Sequence, residues 1–352
     1  MVDRRARREL ARGSRTALAT LALTLGLACD RARIDDDAGR APAATGAPSD
    51  AGRAPAATGA PSDASEPPLL APRPPYRDPS TLAGLASLPL TELRAEESKG
   101  VFRAKLGARD VLVVAGTLEL PQQWRPQVAL YRLARRLELP QVPETIASRI
   151  SLQALVGASD DVARRRIRDE IAVLPDGRVP LAITLLPERP TTTRGSKYSL
   201  EAAAWARAAE ADAPPPADAS LATEGYVAHV ALDYLTGNLF RRSVAQEAEG
   251  RLWLLDNRGA FTEHPDPRAV DIELDKLKRA QRHPAALLRT LAILDERTLD
   301  EDLRAGSYEE WLVHRRPIAE VLQRARALRG LVMARSAERG ERAFDFGPRP
   351  PP

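Results

Sequence analysis

Residues 37 to 49 read DAGRAPAATGAPS, and residues 50 to 62 repeat them without a change. A 13-residue tandem repeat made of Ala, Pro, Gly and small polar residues has no large apolar side chains to offset the entropy of ordering it. It is not a solenoid repeat, which needs a face to bury against its neighbours. The chain stays Pro-rich to about Tyr76. The core must therefore be built from residues beyond the repeat, starting near Leu82. Residues 29–81 read as a disordered tether. About 50 residues of flexible coil span roughly 35 to 40 Å, enough to hold a domain clear of a membrane surface.

The segment before the tether reads as an export signal. Six Arg between Arg4 and Arg15 stand against Asp3 and Glu9, and an apolar run extends from Ala17 to Ala28. That run is too short for an ordinary membrane-spanning helix. It ends Leu25-Gly26-Leu27-Ala28-Cys29, and Cys29 is the only cysteine. A small residue before a lone cysteine at the end of an apolar run resembles a bacterial lipoprotein signal. The resemblance implies residues 1–28 as signal peptide, lipid on Cys29, membrane attachment and an extracytoplasmic location, with inner and outer membrane both open. A single cysteine also excludes intramolecular disulfides, so the exported domain must hold by its core alone. The first 28 residues account for all of the net charge of +4. The rest sums to zero, which leaves no charge argument for nucleic acid.

Two strands are expected at Val101–Leu106 and Val111–Ala115, around a turn at 107–110. Pro126 opens a helix in a favourable first-turn position, with Val128, Tyr131, Leu133, Ala134 and Leu137 on its apolar side. Ile171–Leu174 and Val179–Leu186 read as a hairpin around Pro175-Asp176-Gly177-Arg178. These make a strand-rich lobe with one helix, residues 82–195. A helix-rich lobe comes next, at 196–340: Leu200–Glu210, Leu221–Leu232, a strand at Leu252–Leu255, and helical sequence from His283 to Ala334. Residues 341–352 read as a disordered tail. The Asp345-Phe346-Gly347 triplet has no strand before it and reads as chance.

Two motifs carry the chemistry. The first is Asp233-Tyr234-Leu235-Thr236-Gly237-Asn238-Leu239-Phe240-Arg241, and the second is Leu255-Asp256-Asn257-Arg258-Gly259-Ala260-Phe261. In order and spacing they resemble the D-[FY]-L-x-x-N-x-D-R and L-D-N-G-x-x-F motifs of the four-jointed/Golgi casein kinase family of secretory-pathway kinases. Pro140-Gln141-Val142-Pro143-Glu144-Thr145 matches that family's V-P-x-T stretch. The resemblance implies an α+β, two-lobed, atypical protein-kinase-like fold over about Lys99 to Leu328. It also implies ATP with Mn²⁺ or Mg²⁺ as cofactors, and Asp256 as metal ligand.

Three departures stand against activity. The acidic residue of N-x-D-R is Phe240, and a phenyl ring neither accepts a proton nor binds metal. The strand that would end in a phosphate-binding Lys reads Val111-Leu112-Val113-Val114-Ala115-Gly116. The helix that would open with Glu has Gln127. In addition, Arg258 intrudes before Gly259. Asp233, with Asn238 and Arg241, is the candidate substitute for the lost base; its bland role is to brace the loop. Lys105 and Arg103 are candidate replacement cations.

The leading expectation is a lipid-anchored pseudokinase that engages an unknown protein partner and binds nucleotide or metal weakly. The first alternative is a divergent active kinase acting on extracytoplasmic protein or glycan. It requires Lys105 or Arg103 aimed at Asp256, and Asp233 open to the cleft. The second is a structural lipoprotein unrelated to kinases.

Overall fold

The hairpin expected around Gly107 is the nucleus of the first lobe. Strand β2 (Val101–Leu106) folds back on β3 (Arg109–Ala115) with Val101 opposite Val114 and Leu106 opposite Arg109. Alternation then divides the side chains between two faces. Phe102, Ala104, Leu106, Val111 and Val113 enter one buried cluster, while Val101, Leu112 and Val114 enter another. β1 (Leu90–Ala95), β4 (Thr145–Ser151) and β5 (Arg178–Leu185) complete an antiparallel five-stranded sheet in the order β1-β2-β3-β5-β4.

The computed structural model describes residues 80–85, 87–188, 191–239, 241, 243–303 and 312–348. Cys29, the tandem repeat and Phe240 lie outside them. All described residues belong to one unit, Pro67–Pro352. A short helix α1 (Ser80–Leu85) precedes β1. Helix α2 (Arg125–Arg136) begins with Pro126 in its first turn, as expected, and buries Val128, Tyr131, Leu133 and Ala134. Among the described residues no helix is long and apolar enough to cross a membrane.

The first lobe differs from the sequence expectation in its strands and in its helices: β1 and β4 were not expected. Ile171–Leu174 is not a strand. Both edges of β5 are taken, by β3 on one side and β4 on the other, so the segment makes only a single antiparallel bridge, Ile171 to Thr117. Ile171 instead caps a helix, and the turn at Leu174–Arg178 leads directly into β5. The lobe also holds more than one helix: α3 (Leu152–Gly157) and α4 (Asp161–Glu170) cover the outer sheet face through Leu155, Ala163 and Ile167. Ser151 and Asp160 cap them, each accepting from a backbone N–H three residues on.

After β6 (Thr191–Arg194), helices α5 (Gly195–Glu210) and α6 (Ala217–Thr236) pack against each other. β6 pairs with β7 (Ser243–Gln246), and β7 with β8 (Leu252–Trp253). The rest is helical: α7 (Pro267–Arg279), α8 (Ala285–Thr290), α9 (Glu296–Asp302) and α10 (Arg315–Arg339). The chain end departs from the expected disorder, because Ala343 and Phe346 are buried and Phe346 joins the main core.

Helix α2 belongs to the sheet lobe by sequence but is fastened to the helical one. Arg136 donates from Nε and Nη2 to the two carboxylate oxygens of Asp302 at 2.6 and 2.7 Å, and Arg132 donates to the Asp302 carbonyl at 3.0 Å. The pair is almost wholly buried, with side chains 6% and 2% exposed.

Candidate active-site cleft

The first motif begins inside α6. The helix runs to Thr236 and stops because Gly237 adopts the left-handed conformation (φ 71°), which a side chain would resist. The Asp233 carbonyl accepts from the N–H groups of Gly237 and Asn238. Asp233 is thus in the last helical turn, with its carboxylate 3% exposed. It accepts from Arg241 Nε and Nη2 at 2.9 and 2.8 Å, and lies 3.0 Å from His229 Nε2. Desolvation works to raise the carboxyl; the charges and hydrogen bonds of Arg241 and His229 overcome it and hold it below the usual range. Asp233 does not line the cleft. A carboxylate engaged in this way positions Arg241 and is not placed to take a proton from a substrate.

Arg241 joins the two motifs. Its Nη1 donates to the Asp256 carbonyl at 2.8 Å and its Nη2 to Asn257 Oδ1 at 2.9 Å. Asn257 in turn donates from Nδ2 to Gln127 Oε1 and to the Leu254 carbonyl, both at 3.0 Å, and Gln127 Nε2 donates to the Leu255 carbonyl at 3.1 Å. Gln127 is therefore a buried amide, 1% exposed, that fastens α2 to the segment after β8 that carries Asp256. Position 259 has no room for a side chain, since a Cβ there would lie 2.5 Å from Asn238 Oδ1. Asn238 and Gly259 thus touch across the two motifs, and Asn238 Nδ2 is buried without a partner.

Asp256 itself is half exposed, three residues beyond the end of β8. Arg258 donates to both of its oxygens, Nε to Oδ1 and Nη2 to Oδ2, each at 2.9 Å. Desolvation would raise this carboxyl, but the Arg258 hydrogen bonds and charge keep it below the usual range.

A cavity of about 390 Å³ lies between the lobes, walled by Val101, Leu112, Val114, Val244 and Leu255 and rimmed by Glu96, Arg103, Arg194, Asp256 and Arg258. Of Val114 and Ala115, only Val114 lines it. Of the two proposed cations, Arg103 lines the cleft but is held by Glu96 at 2.7 Å. Lys105 does not line it and pairs with Asp110 at 3.2 Å. Arg194, which sequence reasoning missed, pairs with Glu97 at 3.2 Å. Its only sequence signal was position: it immediately precedes the α5 helix. A second cavity of about 680 Å³ is lined by Asn238, Arg241, Asp256, Arg258, Gly259 and His264 among others.

These residues do not fit a divalent metal ion. Both Asp256 oxygens are bound by Arg258, and no cluster of three or more metal-ligating side chains exists among the described residues. The cleft's apolar walls suit a flat heterocycle, but every cation on its rim is matched by a carboxylate of the same chain.

No protein-family model and no curated protein sequence matches the chain. Solved structures do. The crystal structure of the Golgi casein kinase matches with a TM-score of 0.57 over 77% of this chain and 78% of that one, at 12% identity. The fold is that of Golgi casein kinase. The structure of Golgi casein kinase with Mn/ADP bound matches with a TM-score of 0.54 at 12% identity, over 77% and 79% of the two chains. Hydra Fam20 with sugar gives 0.52 at 14% identity, over 75% of this chain and 90% of that one. The five-stranded antiparallel sheet leading into a mostly helical region is thus a kinase-like α+β architecture, as the two motifs implied.

Proposed function

We propose that this chain is a lipid-anchored, extracytoplasmic pseudokinase: a kinase-like domain on a tether that serves as a binding module for a protein partner and transfers no phosphate. The observation that carries the reading is Gln127. Phosphoryl transfer depends on positioning and on charges that neutralise the phosphates. The resemblance requires a helix Glu paired with a strand Lys to clamp them. Here Val114 stands at the strand position, and the helix position is an uncharged amide spent on the Leu255 carbonyl and Asn257. The clamp has been replaced by a structural link, not left vacant. Phe240 in place of the acidic residue adds the loss of a base, typically worth about 10²- to 10⁴-fold, though the two losses do not add simply.

The Mn/ADP of the Golgi casein kinase structure motivates a test for nucleotide and metal here. The apolar cleft supports weak nucleotide binding at most. The anchor rests on the sequence around Cys29: a single acyl chain holds only marginally, and two lipid signals suffice for stable attachment.

Three measurements test the reading. Labelled-phosphate transfer to casein-like peptides, glycans and the protein itself, with Mn²⁺ and with Mg²⁺, should give none. Robust turnover that disappears in Asp256→Ala would overturn the pseudokinase reading. Nucleotide binding, with and without either metal, should be weak. Cys29→Ser should release or misprocess the protein, and unchanged membrane fractionation and mass in that variant would remove the anchor.

A further inference from the structure

Asp256 and Arg258 are lined up on the boundary between the two cavities, and both side chains face each of them. The guanidinium meets the carboxylate through two parallel hydrogen bonds of 2.9 Å, the fork geometry that makes such pairs strong and directional. Among the described residues Arg258 has no other side-chain partner, so this contact alone holds it in place. The pair is closed within three consecutive residues, Asp256 to Arg258, and costs the chain little ordering beyond the turn itself.

The charges around Asp256 cancel. Two carboxylates, Asp233 and Asp256, face two guanidiniums, Arg241 and Arg258. A divalent cation approaching Asp256 would find no net negative charge, and both carboxylate oxygens already accepting from Arg258. Arg241 cannot yield, because it is buried and committed to Asp233, the Asp256 carbonyl and Asn257. Arg258 can: its side chain is 23% exposed and faces two cavities.

We infer that Arg258 is the resident cation of this site, a guanidinium occupying the face of Asp256 that a divalent metal would need, and that removing its charge turns Asp256 into a metal ligand. The inference rests on the pseudokinase reading only in taking Asp256 as the metal-facing position; it concerns binding and not turnover. Arg258 is thus a specificity-determining residue that excludes metal from a carboxylate otherwise exposed to it.

The probe is Mn²⁺ alone, titrated into the millimolar range and monitored by the electron paramagnetic resonance signal of the free ion. A unit charge within a few ångströms shifts the affinity of a carboxylate for a cation such as the proton by about tenfold or more. Arg258→Ala and Arg258→Gln should therefore bind Mn²⁺ at least about tenfold more tightly than the parent. Arg258→Lys, which keeps the charge, should behave like the parent. Adding Asp256→Asn to Arg258→Ala should remove the gain. Melting curves establish that each variant is folded, and two uncharged replacements guard against loss of one. The inference is overturned if folded Arg258→Ala and Arg258→Gln gain nothing, if the gain survives Asp256→Asn, or if the parent already binds as tightly as they do. Phosphate transfer by the parent would sink the pseudokinase reading without deciding this one, and the converse also holds.

Discussion

Asp233 and Asp256 flank Arg241, and the two are built in opposite ways. Asp233 is buried, its oxygens fixed by two neighbours from its own helix and the loop beyond it. Asp256 is half exposed, and its oxygens are held by a single arginine two residues away. The first pair is contributed by the packed frame; the second lies open on a cavity wall. The difference is one of burial and of how many partners hold each carboxylate: Asp233 is locked by Arg241 and His229, whereas Asp256 and Arg258 are matched only against each other.

Stability measurements can break this contrast. Asp233→Asn leaves Arg241 buried with its charge unmatched. It should cost about 3–5 kcal/mol in urea unfolding, as breaking buried pairs does. A loss under about 1 kcal/mol, the range of exposed pairs, would place Asp233 with the exposed pairs. The pH dependence sharpens the same point. The Asp233 carboxyl titrates below the ordinary aspartate value of about 3.9 in the folded state. Its contribution is therefore complete above that value and is lost as pH falls through the depressed one. Acid titration of the unfolding free energy should show this fall in the parent; Asp233→Asn should reduce it more than Asp256→Asn, because the Asp256 carboxyl is also held low but lies half exposed. Next in size is Gln127→Ala, which removes the link between α2 and the Asp256 segment. About 1–3 kcal/mol is expected from unsatisfied buried partners, read from the shift in urea midpoint. The smallest effect should come from Arg258→Ala, under about 1 kcal/mol. A larger loss would mean that the Asp256 pair belongs to the frame after all.

The sequence carried the fold further than it carried the site. The hairpin at 107 and helix α2 were legible because local pattern and turn chemistry agree with the tertiary result. Helix α7 was legible in principle: Asp266 caps it, Pro267 opens it, and Lys276, Lys278 and Arg279 fill its last turn. β1 was missed because its pattern is broken by Glu92 at φ 52° and a register shift between Thr91 and Arg94. Ile171–Leu174 was misread because β-propensity says nothing about whether a neighbouring edge is free. In the site, the uncharged side chain of Gln127 could be read directly, but its bond to Asn257, 130 residues away, could not. Arg258 was visible only as an insertion; that it closes on Asp256 is a matter of geometry.

The Arg136–Asp302 pair has a consequence for what the cleft can do. Separating α2 from the helical lobe would break this pair and the Arg132 bond, and would uncover Val128, Leu130 and Leu133, which are buried in the main core. Helix α2 is therefore a fixed wall of the cleft. Another wall is the β1–β2 turn, where Glu96 and Ser98 line the cavity and Arg166 of α4 donates to both of their carbonyls. A ligand that moved this turn would be felt at α4, on the outer side of the sheet and away from the helical lobe.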